Sequence, residues 1–218
     1  MVSVPIPGCS AATASWHLRV TILPQCNLRC RYCNPHALFQ HSDTLGDDEI
    51  VEIVAAAVDC GINRIHWTGG EPCIRNVVSL FRRSKELGVA EQVMTTNGTL
   101  RLEQIAQMKD AGLSRVNVSL DSLSPERNLQ ITGRRHIQTT LGWIEQACQT
   151  FDQPTKMNIV PMSDNVHEIP NLISFAQRFS GKLMLKFIEL CPNNPAFYGS
   201  EIQAFAVTRD EIVRHSPQ

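Results

Sequence analysis

Three cysteines stand close together near the start of the chain, at Cys26, Cys30 and Cys33. Thiolates at this spacing in one loop are typical ligands of zinc or of an iron–sulfur cluster. A structural zinc site needs a fourth ligand, which His36 or His41 would supply, whereas a reactive centre keeps one position open. The spacing alone leaves both alternatives open, and in either case the three cysteines are the candidate metal ligands and catalytic residues.

The other five cysteines are scattered along the chain, and we expect most of them to be small buried hydrophobic residues. They are Cys9, Cys60, Cys73, Cys148 and Cys191. A disulfide scaffold is not expected in a chain of 218 residues with an ordinary core and no export signal.

A second segment that could do chemistry is TGGEP at residues 68–72. Its two glycines let the backbone approach a ligand closely, and Glu71 offers a carboxylate that can receive an amino group. The alternative is a tight turn from a strand to a helix, with Pro72 at the first helical position. We expect Gly70 to lie at the ligand and away from the metal ligands, so that a valine there would spare the metal site.

Strand-like and helix-like runs alternate along the chain and predict six β/α repeats, which form a parallel sheet with helices outside. Periodicity does not decide between a doubly wound sheet and an incomplete barrel, but both collect chemistry at the C-terminal ends of the strands. The predicted strands cover residues 17–23, 63–67, 91–95, 114–120, 155–160 and 182–190, and a short strand is expected near Phe205. The predicted helices cover residues 47–60, 74–87, 102–111, 136–150 and 167–178, with a last helical turn from Thr208.

The composition argues against several classes of protein. With 43% hydrophobic and 19% charged residues the chain can bury a core. Twenty Lys and Arg against 21 Asp and Glu give a net charge of −1, which supports neither a nucleic-acid partner nor a polybasic membrane anchor. No apolar run is long enough to span a bilayer, and Ile6–Cys9 imitates a lipoprotein box without the apolar segment that must precede it. We therefore expect a cytoplasmic protein.

Together, the three-cysteine loop and TGGEP resemble the radical S-adenosylmethionine (radical SAM) superfamily. In that family the loop holds three irons of a [4Fe-4S] cluster, S-adenosyl-L-methionine chelates the fourth iron, and the GGEP segment receives its amino group. The resemblance implies an α/β fold, a partial (β/α)6 TIM-like barrel of parallel strands with outer helices and a short C-terminal extension. It also implies reductive cleavage of S-adenosylmethionine to a 5′-deoxyadenosyl radical that abstracts hydrogen from a substrate.

Further motifs are similar, in order, to the GTP 3′,8-cyclase family of molybdenum-cofactor biosynthesis (the MoaA type). They are HLRV, CNLRCRYCNP, WTGGEPCIR, TTNGTL, AGLSRVNVSLDS, ITGR, KMNIV and FIELCP. The similarity covers roughly residues 16 to 192. It predicts an N-terminal extension at residues 1–15, a radical SAM core at 16–192 and a tail at 193–218.

The resemblance also implies roles for single residues. The positions similar to S-adenosylmethionine contacts are Tyr32, through its backbone, Gly69, Gly70, Glu71, Ser119 and Cys191, which stands where the family has methionine. The positions similar to substrate contacts are Arg19, His66, Thr95 and Lys156. The family has arginine where this chain has His66 and Lys186, and histidine is a weaker, pH-dependent phosphate partner.

The cyclases also have a C-terminal region with a second cysteine cluster that binds guanine, and this chain has no counterpart. We therefore expect a small anionic substrate, a nucleotide or nucleoside, without efficient cyclisation of GTP. The implied partners include an electron donor such as flavodoxin or ferredoxin. The alternatives are a radical SAM enzyme that modifies a peptide in natural-product biosynthesis and a non-catalytic barrel that binds zinc, for which TGGEP would have no use.

Overall fold

The computed structural model describes residues 16–33, 45–190 and 206–215. Strands and helices alternate within these ranges. The strands are β1 (Leu18–Thr21), β2 (Arg64–Thr68), β3 (Glu91–Thr96), β4 (Arg115–Ser119), β5 (Thr155–Ile159) and β6 (Leu183–Phe187). The α-helices are α1 (Asp47–Asp59), α2 (Val78–Glu86), α3 (Ile105–Asp110), α4 (Pro125–Thr132), α5 (Ile137–Thr150), α6 (Ile169–Gln177) and α7 (Arg209–Arg214).

The six strands form one parallel sheet in chain order, from β1 at one edge to β6 at the other. Since β1 and β6 do not pair with each other, the sheet is an open, partial barrel. This confirms the predicted fold, and it resolves the choice between sheet and barrel that periodicity had left open.

The two faces of this sheet differ sharply in polarity, because successive residues of a strand point to opposite faces. The outer face is apolar and is buried under the helices; it includes Val20, Ile65, Trp67, Met94, Val116, Val118, Met157 and Leu183. The inner face is polar; it includes Arg19, Arg64, His66, Glu91, Thr95, Arg115, Asn117, Ser119, Lys156, Asn158 and Lys186. The apolar face provides the core, and the polar face is left for ligands.

Two helices show the largest differences from the sequence prediction. Helix α2 begins at Val78 instead of residue 74, because Pro72–Ile74 form a separate 3-10 turn whose first amide is held by the Glu71 side chain. Helix α4 was not predicted. Its signal was present, since Ser124 caps it by accepting a hydrogen bond from Arg127 N and Pro125 occupies its first position.

The tail contributes one isolated antiparallel bridge, between Met162 and Ala206, and helix α7, which begins after the predicted Thr208. The strand expected near Phe205, like residues 1–15, lies outside the described residues, and the three-part division of the chain stays a prediction. Among the described helices, none has the length and apolar character needed to cross a membrane.

Candidate functional site

The cysteine loop, the TGGEP turn and the segments after β3 and β4 meet at one edge of the sheet. Cys26 follows β1, Glu71 follows β2, Asn97 follows β3 and Asp121 follows β4. Parallel strands end at the same edge, so these four segments are neighbours although they lie far apart in sequence.

The two glycines of TGGEP join this turn to the backbone that leads into the cysteine loop. Gly70 N donates to Leu23 O at 2.8 Å, and Glu71 N donates to Gln25 O at 2.8 Å. A Cβ on Gly70 would collide with the backbone carbonyl of Gln25, the residue before Cys26. Gly70 therefore packs on the cysteine loop and does not lie away from it as expected, so we now expect a side chain at this position to disturb the candidate metal site.

The carboxylate of Glu71 is buried and accepts hydrogen bonds from three donors of the protein. Cys73 N donates to Oε1 at 2.9 Å, Thr96 Oγ1 donates to Oε1 at 2.7 Å, and Asn97 N donates to Oε2 at 2.7 Å. Burial raises the pKa of Glu71, and these hydrogen bonds oppose the shift. Glu71 thus connects the turn after β2 to the end of β3 by hydrogen bonds. Its contact with S-adenosylmethionine stays a prediction.

Asn97 continues this connection to the first cysteine. Its Nδ2 donates to Asn27 Oδ1 at 2.8 Å and reaches Cys26 Sγ at 3.8 Å, while its backbone amide is held by Glu71. No role was assigned to Asn97 from the sequence. The signal that could have found it is its place directly after a predicted parallel strand, within the TTNG motif.

The far side of the cysteine loop is held by the unpredicted helix α4. Arg29 N and Arg31 N donate to the carbonyl oxygens of Thr132 and Ile131, each at 2.9 Å. The Arg31 guanidinium also pairs with Asp164 at 2.6 Å. The C-terminal end of α4 therefore has its unpaired carbonyls satisfied by the loop that carries the cysteines.

Tyr32 and the buried Asp121 form a hydrogen-bonded pair beside the last two cysteines. Tyr32 Oη donates to Asp121 Oδ2 at 2.6 Å, and Val160 N donates to Oδ1 at 2.7 Å. Burial raises the pKa of Asp121 to about 6, against the opposing effect of these hydrogen bonds. The Tyr32 side chain is thus directed into the protein, which is compatible with the implied use of its backbone toward a ligand.

The donor set fits a cluster, because the three thiols belong to one loop and lie close enough to act on one another electrostatically. Burial raises the pKa of Cys30, and the Asp121 carboxylate and the other two thiols add to the shift, so the three sulfurs share one electrostatic environment. Leu28 N donates to Cys26 Sγ at 3.4 Å, as amides do toward cluster sulfurs.

Within the described ranges, no three Cys, His, Asp or Glu side chains are close enough to share a single metal ion. A [4Fe-4S] cluster makes a different demand, since each thiolate binds a different iron. His36 and His41, the candidate fourth ligands of a zinc site, lie outside the described residues.

The residues implied for substrate binding lie together on the polar inner face. Arg19 is in register with His66 on the neighbouring strand, and Thr95 is in register with Asn117, which is in register with Lys156. His66 Nε2 lies 2.7 Å from Thr95 Oγ1. Burial and the nearby Arg19 lower the pKa of His66 to about 4, so the ring is neutral in the free protein at pH 7.

Ser119 ends β4 on the same inner face, in register with Asn158. Its implied contact with S-adenosylmethionine stays a prediction. Cys191, the remaining implied cofactor contact, lies outside the described residues.

Comparison with known proteins agrees with this arrangement. Residues 20–176 match the family model of the radical SAM superfamily. Solved structures give the same fold: the hydrogenase maturase HydG from Carboxydothermus hydrogenoformans has a TM-score of 0.68 at 15% identity, covering 91% of this chain and 49% of HydG. Streptococcus suis SuiB bound to its precursor peptide SuiA has a TM-score of 0.67 at 17% identity, covering 81% of this chain and 39% of SuiB.

The chain therefore belongs to the radical SAM superfamily. Within it, the chain is similar to proteins named GTP 3′,8-cyclase. A probable cyclase of Methanococcus maripaludis is 34% identical over 203 residues, which is 92% of this chain and 67% of the relative. The cyclase of Petrotoga mobilis is 38% identical over 182 residues, 81% of this chain and 56% of the relative. The chain thus spans between about half and two thirds of these proteins.

Gly70→Ala tests the contact between the TGGEP turn and the cysteine loop. The added methyl group is expected to displace the backbone before Cys26, to lower the iron content of the reconstituted protein and to reduce the free energy of unfolding by about 1–3 kcal/mol. Iron analysis and chemical denaturation measure both effects. Gly142→Ala is the control, because its Cβ would meet nothing closer than Leu102 Cδ2 at 4.0 Å. Full iron content in Gly70→Ala would contradict the contact.

The raised pKa of Asp121 predicts a dependence of stability on pH. The unfolded carboxyl ionises near pH 4 and the folded one at about 6, so stability present below pH 4 is lost as pH rises through 6. The expected loss is about 3 kcal/mol in the free energy of unfolding. In Asp121→Asn this component disappears, while any contribution of Glu71 remains in both proteins. The free energy of unfolding is measured by denaturation at several pH values between 4 and 7. An equal change of this free energy with pH in both proteins would refute the assignment.

Proposed function

We propose that this chain is a radical SAM enzyme that acts on a small anionic, nucleotide-like substrate. The observation that carries the proposal is that the three-cysteine loop and the TGGEP turn form one hydrogen-bonded unit, which borders a polar inner face. The zinc-module alternative gives no reason for a glycine turn packed against the cysteine loop.

Cys26, Cys30 and Cys33 would hold a [4Fe-4S] cluster, and Gly69, Gly70, Ser119 and the Tyr32 backbone would bind S-adenosylmethionine. When bound, the cluster and S-adenosylmethionine supply the electron transfer and bond cleavage that yield a 5′-deoxyadenosyl radical for hydrogen abstraction. The residues of the chain itself position the three cysteines. Glu71 and Asn97 hold the first cysteine, while α4 and the Tyr32–Asp121 pair hold the other two.

The charge of the inner face supports an anionic substrate. Arg19, Lys156 and Lys186 lie on this face, and the pKa of Lys156 is lowered, first by the positive charge of Arg115 and then by burial. Such repulsion between neighbouring cations is relieved when an anion binds among them. The similarity to proteins named GTP 3′,8-cyclase favours a nucleotide as this anion.

The proposal includes a one-electron donor such as flavodoxin or ferredoxin and a cytoplasmic site of action. Both follow from the class of reaction, since the cluster must be reduced and is sensitive to oxygen. A peptide substrate is the competing possibility within the same class, and it is an outcome of the substrate experiment below.

Cys30→Ala tests the cluster assignment. One cluster per chain is expected in the wild type, and the variant is expected to lose both the iron and the formation of 5′-deoxyadenosine under reducing, anaerobic conditions, because a cluster needs its thiolate ligands. Iron analysis and chromatography measure the two quantities. Cys60→Ser, at the end of α1 and outside the site, is the matched control. Full activity in Cys30→Ala, or two clusters per wild-type chain, would overturn the assignment.

Lys156→Ala tests the substrate class. An anaerobic assay of 5′-deoxyadenosine formation is run with nucleotides, nucleosides and peptides. For an anionic nucleotide the variant is expected to raise KM about tenfold, because a hydrogen bond to a charged group is lost. Lys182→Ala, whose Nζ lies beyond the sheet against Asp152 O, is the control. Turnover of a neutral peptide with no effect of Lys156→Ala would refute the anion-binding face.

A further inference from the structure

An arginine-rich surface lies beside the cysteine loop, outside the barrel interior. Two segments form it: residues 22–33, which include the cysteine loop, and residues 127–144, which run from α4 into α5. Every charged residue of both segments is an arginine. Because the whole chain has a net charge of −1, positive charge is concentrated where these two segments meet.

The end of α4 fixes this surface to the cysteine loop. Thr132 O accepts a hydrogen bond from Arg29 N at 2.9 Å, and Thr132 Oγ1 donates to Arg134 O at 3.1 Å. Gly133 ends α4 with a left-handed φ of 73°, and a Cβ on it would lie 3.5 Å from Arg29 Cβ. The backbones of Arg29 and Arg134 are therefore both bonded to one threonine, and Arg29 directly precedes Cys30.

Two arginines of these segments are neutralised by ion pairs. Arg31 pairs with Asp164 and Arg127 pairs with Glu168, each at 2.6 Å. Glu168 is buried and also accepts a hydrogen bond from Ser122 Oγ at 2.7 Å, so its pair with Arg127 belongs to the interior of the fold. The positive charge that remains at the surface comes from the other arginines.

Three exposed arginines, which we call the arginine patch, have no counter-ion. They are Arg29, Arg134 and Arg135. Across the ranges that the structure describes, their side chains form no ion pair with a carboxylate. The patch thus gives the fold no ion pair, and it offers three guanidinium groups to the carboxylates of an acidic surface.

The patch lies where an electron would enter the proposed cluster. Arg29 is the neighbour of Cys30, and Cys33, whose amide donates to Cys30 O at 2.9 Å, is exposed. Electron transfer between proteins slows steeply with the distance between the two redox centres, so a donor must dock close to the cluster. A donor that docks on the patch meets this condition, whereas one that docks on the outer helices has the apolar core in between.

We propose that the arginine patch is the docking surface for an acidic one-electron carrier protein. This inference rests on the proposed function and deepens it, because it names the surface and the charge of the electron donor. One electron leaves the reduced carrier and enters the cluster, so the carrier is oxidised by one electron, the cluster is reduced by one, and no bond forms or breaks. The arginines attract and orient the carrier and do not contact the reacting atoms.

Binding is tested without electron transfer, by calorimetry of the anaerobically purified full chain with oxidised flavodoxin, an acidic carrier protein. In the double variant Arg134→Gln, Arg135→Gln the Kd is expected to rise about tenfold, because two ion pairs at the interface are lost. Arg29→Gln is expected to act in the same direction. The matched control is Arg82→Gln, Lys85→Gln, which removes two exposed cations of α2 near the start of β3, at the opposite end of the barrel.

Reduction of the cluster is measured by stopped-flow absorbance with two reductants. One is reduced flavodoxin, and the other is reduced methyl viologen, a small cation that needs no docking surface. The double variant is expected to lower the second-order rate constant for flavodoxin about tenfold at low ionic strength and to leave the rate with methyl viologen unchanged. The difference between the proteins is expected to vanish in 1 M salt, where the Debye length is about 3 Å.

Several outcomes would overturn the proposal. Equal Kd values and equal rates with flavodoxin in the double variant and in the control would do so. An equal loss of rate with methyl viologen would also do so, because damage to the cluster would then explain the effect; iron analysis and thermal unfolding of each variant verify this point. Binding of bulk transfer RNA that depends on the patch, without such binding of flavodoxin, would overturn it in favour of a nucleic-acid site.

Neither binding of the carrier nor reduction of the cluster uses S-adenosylmethionine. Reduction that depends on the patch, without formation of 5′-deoxyadenosine, would refute the proposed reaction and support the docking surface. Formation of 5′-deoxyadenosine with methyl viologen as reductant, without binding of flavodoxin that depends on the patch, would refute the docking surface alone.

Discussion

The buried carboxylate of Glu71 connects the parts of the cysteine end of the barrel. A carboxylate with almost no exposure is tolerated only when donors surround it, and here Cys73, Thr96 and Asn97 provide them. Each such hydrogen bond to a charged group contributes about 1.5–3 kcal/mol. Because Asn97 also reaches Cys26, the turn after β2, the end of β3 and the first cysteine of the loop are positioned together.

The glycines beside Glu71 are part of the same constraint. The backbone from Leu23 to Gln25 lies so close to Gly69 and Gly70 that any side chain there meets carbonyl oxygens. Two parallel strands thereby bring their following loops into direct backbone contact, which side chains would otherwise prevent. The rigidity of the cysteine loop on this side comes from the backbone, and on its other side from α4 and the Tyr32–Asp121 pair.

The two ends of the inner face carry different charges, and the proposed function uses them for different purposes. Near the cysteine loop the buried charges are the carboxylates of Glu71 and Asp121, both with raised pKa values. Toward the opposite end the positive charges are those of Arg19, Arg64 and Arg115, with Glu91 as the negative charge beside them. Asn117 lies between the ends and joins Arg115 to Thr95 and His66 by hydrogen bonds or close contacts. Such a face can hold an anionic group at one end while a reactive group at the other end stays close to the thiols.

The sequence by itself determined the six β/α repeats and their order, because alternating hydrophobic periods are local properties of the chain. It also predicted the candidate metal-ligand triplet, since three thiols within one loop need no knowledge of the fold. Helix α4 was equally local and could have been found from Ser124 and Pro125. The partners of Glu71, the role of Asn97, the packing of Gly70 on Gln25 and the setting of Arg115 were decided by the tertiary structure alone. They join residues from different strands, and only the parallel register of the sheet brings those residues to the same end of the barrel.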